Sequence, residues 1–536
     1  MNHYKIVALA ALPVVISFVS CNSGGNSSAH NSDSIAIQIN LSEMKKIATV
    51  DERFQSYNVE MVEVVGGKFW KPYKMMDSLP SAKATTTYDI SQNNDQMYRK
   101  LAPVNLADKR LLNLAKALAP VYVRVSGTWA NAMYFQDNDE PPMAKAPAGF
   151  VNVLTRKEWK GVLDFLKATD SKLVTSFAVS NGVRDAKGVW TAKEAQKIVD
   201  YTKSQGGAIA AAELFNEPTM PTAGGAMNKS YSAGDFAKDE AVFKSWARKE
   251  VPDMLLAGPG SVGEGLPGVS FAGMGMPFLS TDSMMSAEPK PVFDVFSYHF
   301  YGAVSMRMMQ SGRYSIKAQN ALSDAWLRRT DTVADYYKGL RDKYNPGKPM
   351  WITETAEAAA GGDPFAATYL DCFRYLYQLG SLAKKDIKVI MHNTLAASEY
   401  SLIDQDTHLP KPDYWAALLW HNLMGTDVYD AGNGRPGVYL FAHNLKGKPG
   451  GITLLVINTN KDSVSIDIPS DAEQYTLTSK ELQGTTVMLN GKELQLSAND
   501  ELPEIKGNAV KQGNVVLPAT SISFFTFPDA AHNSKK

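Results

Sequence analysis

Between residues 59 and 428 two patterns alternate along the chain. Short apolar runs at 59–65, 121–125, 173–179, 208–215, 254–257, 293–298, 350–353 and 387–391 read as eight buried strands. Between them lie stretches with apolar residues at helical spacing. Residues 158–168, for example, place Trp159, Val162, Phe165 and Leu166 on one face. Thr191 followed by Glu194 reads as the capping box of another helix. Eight strand–helix repeats over roughly 370 residues predict an α/β fold, a (β/α)8 TIM barrel with long loops. A doubly wound open sheet is the alternative, but it more often carries a nucleotide loop early in the chain.

From residue 429 to 536 the period changes. Alternating runs at 438–441, 452–457, 464–468, 475–477, 487–489, 494–496, 515–517 and 522–527 carry no helical pattern. Asn490-Gly491 between two of them is a strong hairpin signal. These runs predict a C-terminal β-sandwich. Ile35, Ile37, Ile39 and Leu41 alternate with polar or small residues, so segment 35–58 opens with a strand. That N-terminal strand has no place in the barrel and is expected to join the sandwich.

The N-terminus adds a separate signal. Lys5, the apolar run from Ile6 to Val19, and Ser20-Cys21 have the form of an export signal over residues 1–20. The cut site resembles that of bacterial lipoproteins, which implies lipidation at Cys21 and a membrane anchor. The protein would then be exported and held on a bacterial envelope membrane. Residues 21–34, rich in Ser, Asn and Gly, form a flexible tether. The apolar run is too short for a span of roughly 20 residues.

Charge narrows the partners. Lys plus Arg equals Asp plus Glu at 55 each, so no nucleic acid is expected. The eight His show no HxxxH or HxH spacing, so neither metal nor cofactor is expected. No GxSxG elbow supports a catalytic serine. Gly258-Pro259-Gly260-Ser261-Val262-Gly263 spells a glycine-rich motif, but Pro259 lies inside it and it reads as a simple loop.

The chemistry gathers at strand ends. Asn216-Glu217-Pro218 closes the fourth run and Thr353-Glu354-Thr355 the seventh. In a barrel both carboxylates project at the C-terminal mouth. Cleaving a glycosidic bond needs two such groups: one protonates the leaving oxygen, and the other attacks the sugar carbon or activates water. Glu217 and Glu354 are therefore the catalytic candidates. Asn216 is placed to hold a sugar hydroxyl. His299 and Tyr301, at the sixth strand's exit, could orient the nucleophile or touch sugar. Glu213 and Glu357 are nearby carboxylates without the strand-exit position.

At these motifs the chain resembles glycoside hydrolase family 79, the group of heparanase and microbial β-glucuronidases. Arg124-Val125-Ser126-Gly127-Thr128, Asn216-Glu217-Pro218 and Glu354-Thr355 with Gly361-Gly362 carry the barrel part of the likeness. Glu399-Tyr400-Ser401-Leu402-Ile403-Asp404 and Pro412-Asp413-Tyr414-Trp415 extend it. Leu489-Asn490-Gly491 and Leu517-Pro518-Ala519 carry it into the sandwich. The resemblance implies a retaining mechanism, with Glu217 as acid/base and Glu354 as nucleophile. It implies that Tyr400 and the amides of Ala360 and Gly361 hold a uronic acid carboxylate, and it places Thr128 at the substrate. Where the family's loop carries a Tyr and three Gly, this chain has Ala359-Ala360-Gly361-Gly362. Glu60 and Glu63 are both candidates for a sugar hydroxyl, with Glu63 preferred. A β-glucuronidase acting on an oligosaccharide or polysaccharide is the expected function. An endo-acting heparanase-like hydrolase and a non-catalytic glycan-capture lipoprotein are the alternatives.

Overall fold

A computed structural model describes residues 36–76, 97–308 and 314–530. The export signal, Cys21, the tether and Ile35 lie outside the described residues.

Eight parallel strands close into a barrel in chain order: Gln55–Glu60, Tyr122–Ser126, Lys172–Ser176, Ile209–Glu213, Leu255–Ser261, Val295–Val304, Met350–Ala359 and Ile387–His392. Strand eight pairs with strand one and completes the ring. Tyr122, Val174, Ala211, Ala257, Val295, Trp351, Val389 and Met391 fill the bottom of the barrel. Because both faces of the strands are covered, most of these segments read as apolar runs, Gln55–Glu60 being the exception. Strands six and seven are ten residues each and carry their ends beyond the ring. Those ends place Tyr301 and Glu354 at the mouth.

The expected first strand, residues 59–65, is shifted. It runs Gln55–Glu60, and Met61–Val65 forms a short helix. A run of valines fits a buried helix turn as well as a strand, and the Glu63 carboxylate decides it by accepting from the Glu60 N–H at 2.6 Å. The capping box at Thr191 is also not formed. The helix spans Lys193–Ser204, and the Thr191 hydroxyl donates to the Val183 carbonyl at 2.7 Å. A capping box forms instead at Thr155 and Glu158, ahead of Arg156–Ala168.

The C-terminal strands form two sheets. The larger runs through Lys46–Thr49, Met424–Tyr429, Val438–Leu445, Ile452–Asn458, Ser521–Phe527 and Ala472–Thr478, and the smaller joins Ile37–Gln38, Val464–Ile468 and Gly513–Leu517. The chain thus supplies N-terminal strands to both sheets. Ile452, Leu454 and Val456 face the small sheet, whereas Leu455 and Ile457 on the opposite face pack with the barrel helices. Asn490 and Gly491 turn a hairpin with φ of 50° and 81°, pairing Met488–Leu489 with Lys492–Glu493. The expected strand at 494–496 is not formed. Among the described residues no helix is long and apolar enough to cross a membrane.

Candidate active site

A pocket opens at the C-terminal mouth of the barrel. Its polar lining is Glu60, Glu217, Tyr301, Glu354, Asn393 and Tyr400, joined by Thr128 and Ala360. An oxygen of Glu217 and an oxygen of Glu354 lie within 4.8 Å of each other.

Both oxygens of Glu354 are held. The Tyr301 hydroxyl donates to Oε1 at 2.6 Å, and Arg124 Nη1 donates to Oε2 at 2.9 Å. Arg124, fully buried on strand two, also donates to Glu213 Oε2 from Nε at 3.0 Å and to Asn216 Oδ1 from Nη2 at 2.7 Å. Burial works against the charge of Glu213, but Arg124 and His299 outweigh it and hold this carboxyl well below the usual range. Glu213 is thus the counter-ion of the site's arginine and sits below the reacting groups.

His299 Nδ1 lies 3.1 Å from Glu217 Oε1, and the ring is 3.8 Å from Glu354 Oε2. Burial alone would lower its pKa, yet the carboxylates of Glu354, Glu213 and Glu217 push it up to about 9. The ring's Nε2 lies 3.3 Å from Arg124 Nη2, a group that can only donate. Glu217, His299 and Glu354 each bring one ligand atom within 4.8 Å of the others. Glu217 itself is raised, chiefly by burial and then by the Glu354 charge, with His299 and Arg124 opposing.

The opposite wall is built on Asn393, just past strand eight. Its Nδ2 lies 3.1 Å from Glu60 Oε1, from the Tyr301 hydroxyl and from the Tyr400 hydroxyl. Glu60 is raised well above the carboxylate range by burial and by Glu354. Gly127 makes room for it, since a Cβ there would lie 1.5 Å from Glu60 Oε2.

After strand seven, Ala360, Gly361 and Gly362 all take positive φ, at 66°, 90° and 81°. The Gly362 N–H donates to the Ala358 carbonyl at 3.2 Å and closes the turn. Arg307, fully buried, grips the carbonyl side: Nη1 donates to the Ala360 carbonyl at 3.2 Å and to the Gly362 carbonyl at 2.7 Å. Its Nη2 pairs with Glu399.

The structure therefore brings Glu217, Glu354, Tyr301, Tyr400, Thr128 and Ala360 to one pocket. Asn216, His299 and Gly361 stand just behind the lining. The preference for Glu63 is corrected. It is buried as the cap of the short helix, with its pKa pushed up to about 8 by burial, and Glu60 is the carboxyl in the lining. Sequence reasoning missed Asn393 and gave Arg124 and Arg307 no role. An arginine inside an apolar barrel strand was the available signal for Arg124.

A closed barrel with two carboxylates at the ends of strands four and seven defines a TIM-barrel glycoside hydrolase. The sequence model for the N-terminal domain of glycosyl hydrolase family 79 matches residues 91–380, and the chain belongs to that family. Heparanase-like protein 1 of Arabidopsis thaliana is 25% identical over 81% of this chain and 86% of its own length. Baicalin-beta-D-glucuronidase of Scutellaria baicalensis is 26% identical over 77% of this chain and 80% of its own. Among solved structures, a 4-O-alpha-L-rhamnosyl-beta-D-glucuronidase from Fusarium oxysporum shares the fold, with a TM-score of 0.60 and 14% identity over 92% of this chain and all of that one.

Proposed function

We propose that the protein is a retaining β-glucuronidase in which Glu217 is the acid/base and Glu354 the nucleophile. Retaining enzymes hold their carboxyl groups about 5–5.5 Å apart, whereas inverting enzymes need roughly 6.5–9.5 Å to seat a water. The separation within 4.8 Å is the observation that carries the mechanism.

The chemistry then follows from the contacts. Glu354 attacks the anomeric carbon as Glu217 gives its proton to the glycosidic oxygen, and the bond to the leaving group breaks. Arg124 and Tyr301 hold the attacking carboxylate in line. Once Glu354 is esterified, its charge no longer raises the Glu217 pKa, while the hydrogen bond from His299 still lowers it. Glu217 therefore stays a carboxylate and takes a proton from water as the water oxygen attacks the same carbon, and the bond to Glu354 breaks to free its carboxylate. Tyr400 and the Ala360–Gly361 amides are the seat for the sugar's own carboxylate. Curated relatives whose names state glucuronide cleavage support this reading.

A panel of aryl β-glucuronide, glucoside, xyloside and galactoside tests the assignment. Selective release from the glucuronide is expected. Glu354→Gln should lose turnover by on the order of 10^4-fold or more with its fold intact by circular dichroism. Preference for another sugar would remove the uronate assignment, and wild-type activity in Glu354→Gln would remove the mechanism.

We also propose lipidation at Cys21, which would place the enzyme on a bacterial envelope membrane; the sequence pattern around Ser20-Cys21 supports it. Incorporation of labelled palmitate, lost in Cys21→Ala, is the expected result, and equal labelling of that variant would refute it.

A further inference from the structure

Glu217 protonates the departing oxygen, so the leaving group lies on its side of the pocket. That side is built by the loops after strands four and five. They contribute Met220, Ala223, Gly224, Val262, Phe271 and Met276 to the lining. Met220 is one turn from the acid, its N–H donating to the Glu217 carbonyl at 2.9 Å. The Thr219 hydroxyl donates to the Val262 carbonyl at 3.0 Å and locks the two loops together. Strands eight and one lie directly across the ring and carry the polar set of Asn393, Tyr400 and Glu60. The hydrogen-bonding side chains for one pyranose thus gather on one side, beside Phe69, Trp70 and Tyr98, while the flank of the acid offers apolar side chains.

Two kinds of leaving group fit this division badly. A second sugar would bury its hydroxyls against methionine, valine and phenylalanine, where they find few partners. A sulfated sugar would need cations, and no Lys or Arg is among the described residues of the lining. Thr128 is the polar side chain that this flank gains from strand two. It sits tight over Gly224, where a Cβ would lie 2.8 Å from Thr128 Cγ2. Methionines adapt their shape to apolar partners of varied outline.

We infer that this enzyme releases an apolar, aryl or alicyclic aglycone, and that the Met220–Met276 wall selects it. The inference rests on Glu217 as the acid and does not depend on which glycone is bound.

The test uses the full chain and the glycone that the aryl panel selects. Phenyl, 4-methylphenyl, 4-ethylphenyl and 4-propylphenyl glycosides differ little in leaving-group basicity. Their kcat/KM should rise about three- to fourfold per methylene buried. A cyclohexylmethyl glycoside, whose alcohol leaves no more readily than a sugar hydroxyl, should be cleaved at least tenfold better than the matching disaccharide. Met276→Gln and Met220→Gln should each flatten the alkyl series. A series flat in the native enzyme, a preference for the disaccharide, or wild-type slopes in both variants would overturn the inference. So would silence toward every aryl glycoside. Activity confined to a glycone other than glucuronide would refute only the uronate assignment.

Discussion

At the scale of single residues, the site sets Arg124 and His299 among the carboxylates around them. Arg124 is tied to Glu213 and Glu354, and His299 is the group that touches Glu217. This makes a prediction with a definite sign. Glu217 donates its proton only below its pKa, so kcat/KM falls as pH rises through that value. His299 lowers the Glu217 pKa, through its hydrogen bond first and its charge second. Replacing it by a neutral amide in His299→Gln leaves burial and Glu354 less opposed, and the pKa moves up. The alkaline limb of the kcat/KM profile should therefore shift to higher pH. A merely structural role for His299 would lower activity and leave the limb in place, and that outcome would sink the assignment. The two carboxylates proposed for catalysis were legible in the sequence because strand exits in a barrel are the place where such groups converge. Asn393 was not legible, because its partners Glu60, Tyr301 and Tyr400 are 333, 92 and 7 residues away. Only closure of the barrel brings them together. Glu60 and Glu63 could not be told apart while the run 59–65 read as a strand, and the helix turn at Met61 is what separates them.

At the scale of elements, the loop after strand seven is the part with the least intrinsic preference for its shape. Ala360 holds a positive φ of 66°, a conformation that disfavours side chains other than those of Gly and Asn. Arg307 holds the loop there by gripping the Ala360 and Gly362 carbonyls from behind while its Nε donates to the Lys71 carbonyl at 2.8 Å. Tyr73 stacks on its guanidinium at 4.1 Å and donates its hydroxyl to the Gly362 carbonyl at 3.1 Å. Lysine keeps the charge but has no planar fork to bridge several carbonyls. Arg307→Lys should therefore raise KM for the preferred uronide by roughly 10- to 100-fold, the equivalent of one or two charged hydrogen bonds, with a smaller effect on kcat. The uronide's advantage over the matching neutral glycoside should shrink in parallel. An equal loss for both substrates would mean that Arg307 supports the fold and not the carboxylate seat. None of this was visible in the chain, where Arg307 lies 53 residues from Ala360. By contrast, seven of the eight barrel strands were legible from their apolar runs, whereas the first, Gln55–Glu60, carries Gln55, Ser56, Asn58 and Glu60 and was not. Met424–Tyr429, with Gly425, Thr426 and Asp427 inside it, carries too weak an apolar signal to read as a strand and forms only between two partners.

At the scale of the whole molecule, barrel and sandwich share one interface, and the described residues from Ala36 onward cluster as a single compact unit. The helix Tyr369–Lys384 is buried along almost its whole length between them. The Tyr369 hydroxyl donates to the Leu477 carbonyl at 2.8 Å, and the Leu370 N–H donates to the Leu482 carbonyl. The same helix presses Gly380 against the Phe441 ring, where a Cβ would lie 2.3 Å from Cγ. Two effects therefore compete in Gly380→Ala. Helix propensity favours alanine by about 1 kcal/mol, while forcing a methyl group into a filled interface costs about 1–3 kcal/mol. A contact at 2.3 Å is far inside van der Waals distance, so the clash should prevail and Gly380→Ala should lower the melting temperature. Because the helix belongs to both layers, the loss should appear as a downward shift of one cooperative transition, with aryl glycosidase activity disappearing at the same temperature as the ellipticity. Phe441→Ala removes Cγ and both Cδ atoms, the ones the alanine methyl would strike, so in the double variant the two changes should cost less together than the sum of the singles. Additive losses, or a barrel signal that survives while the sandwich melts, would show that the two layers fold independently and that the interface does not couple them.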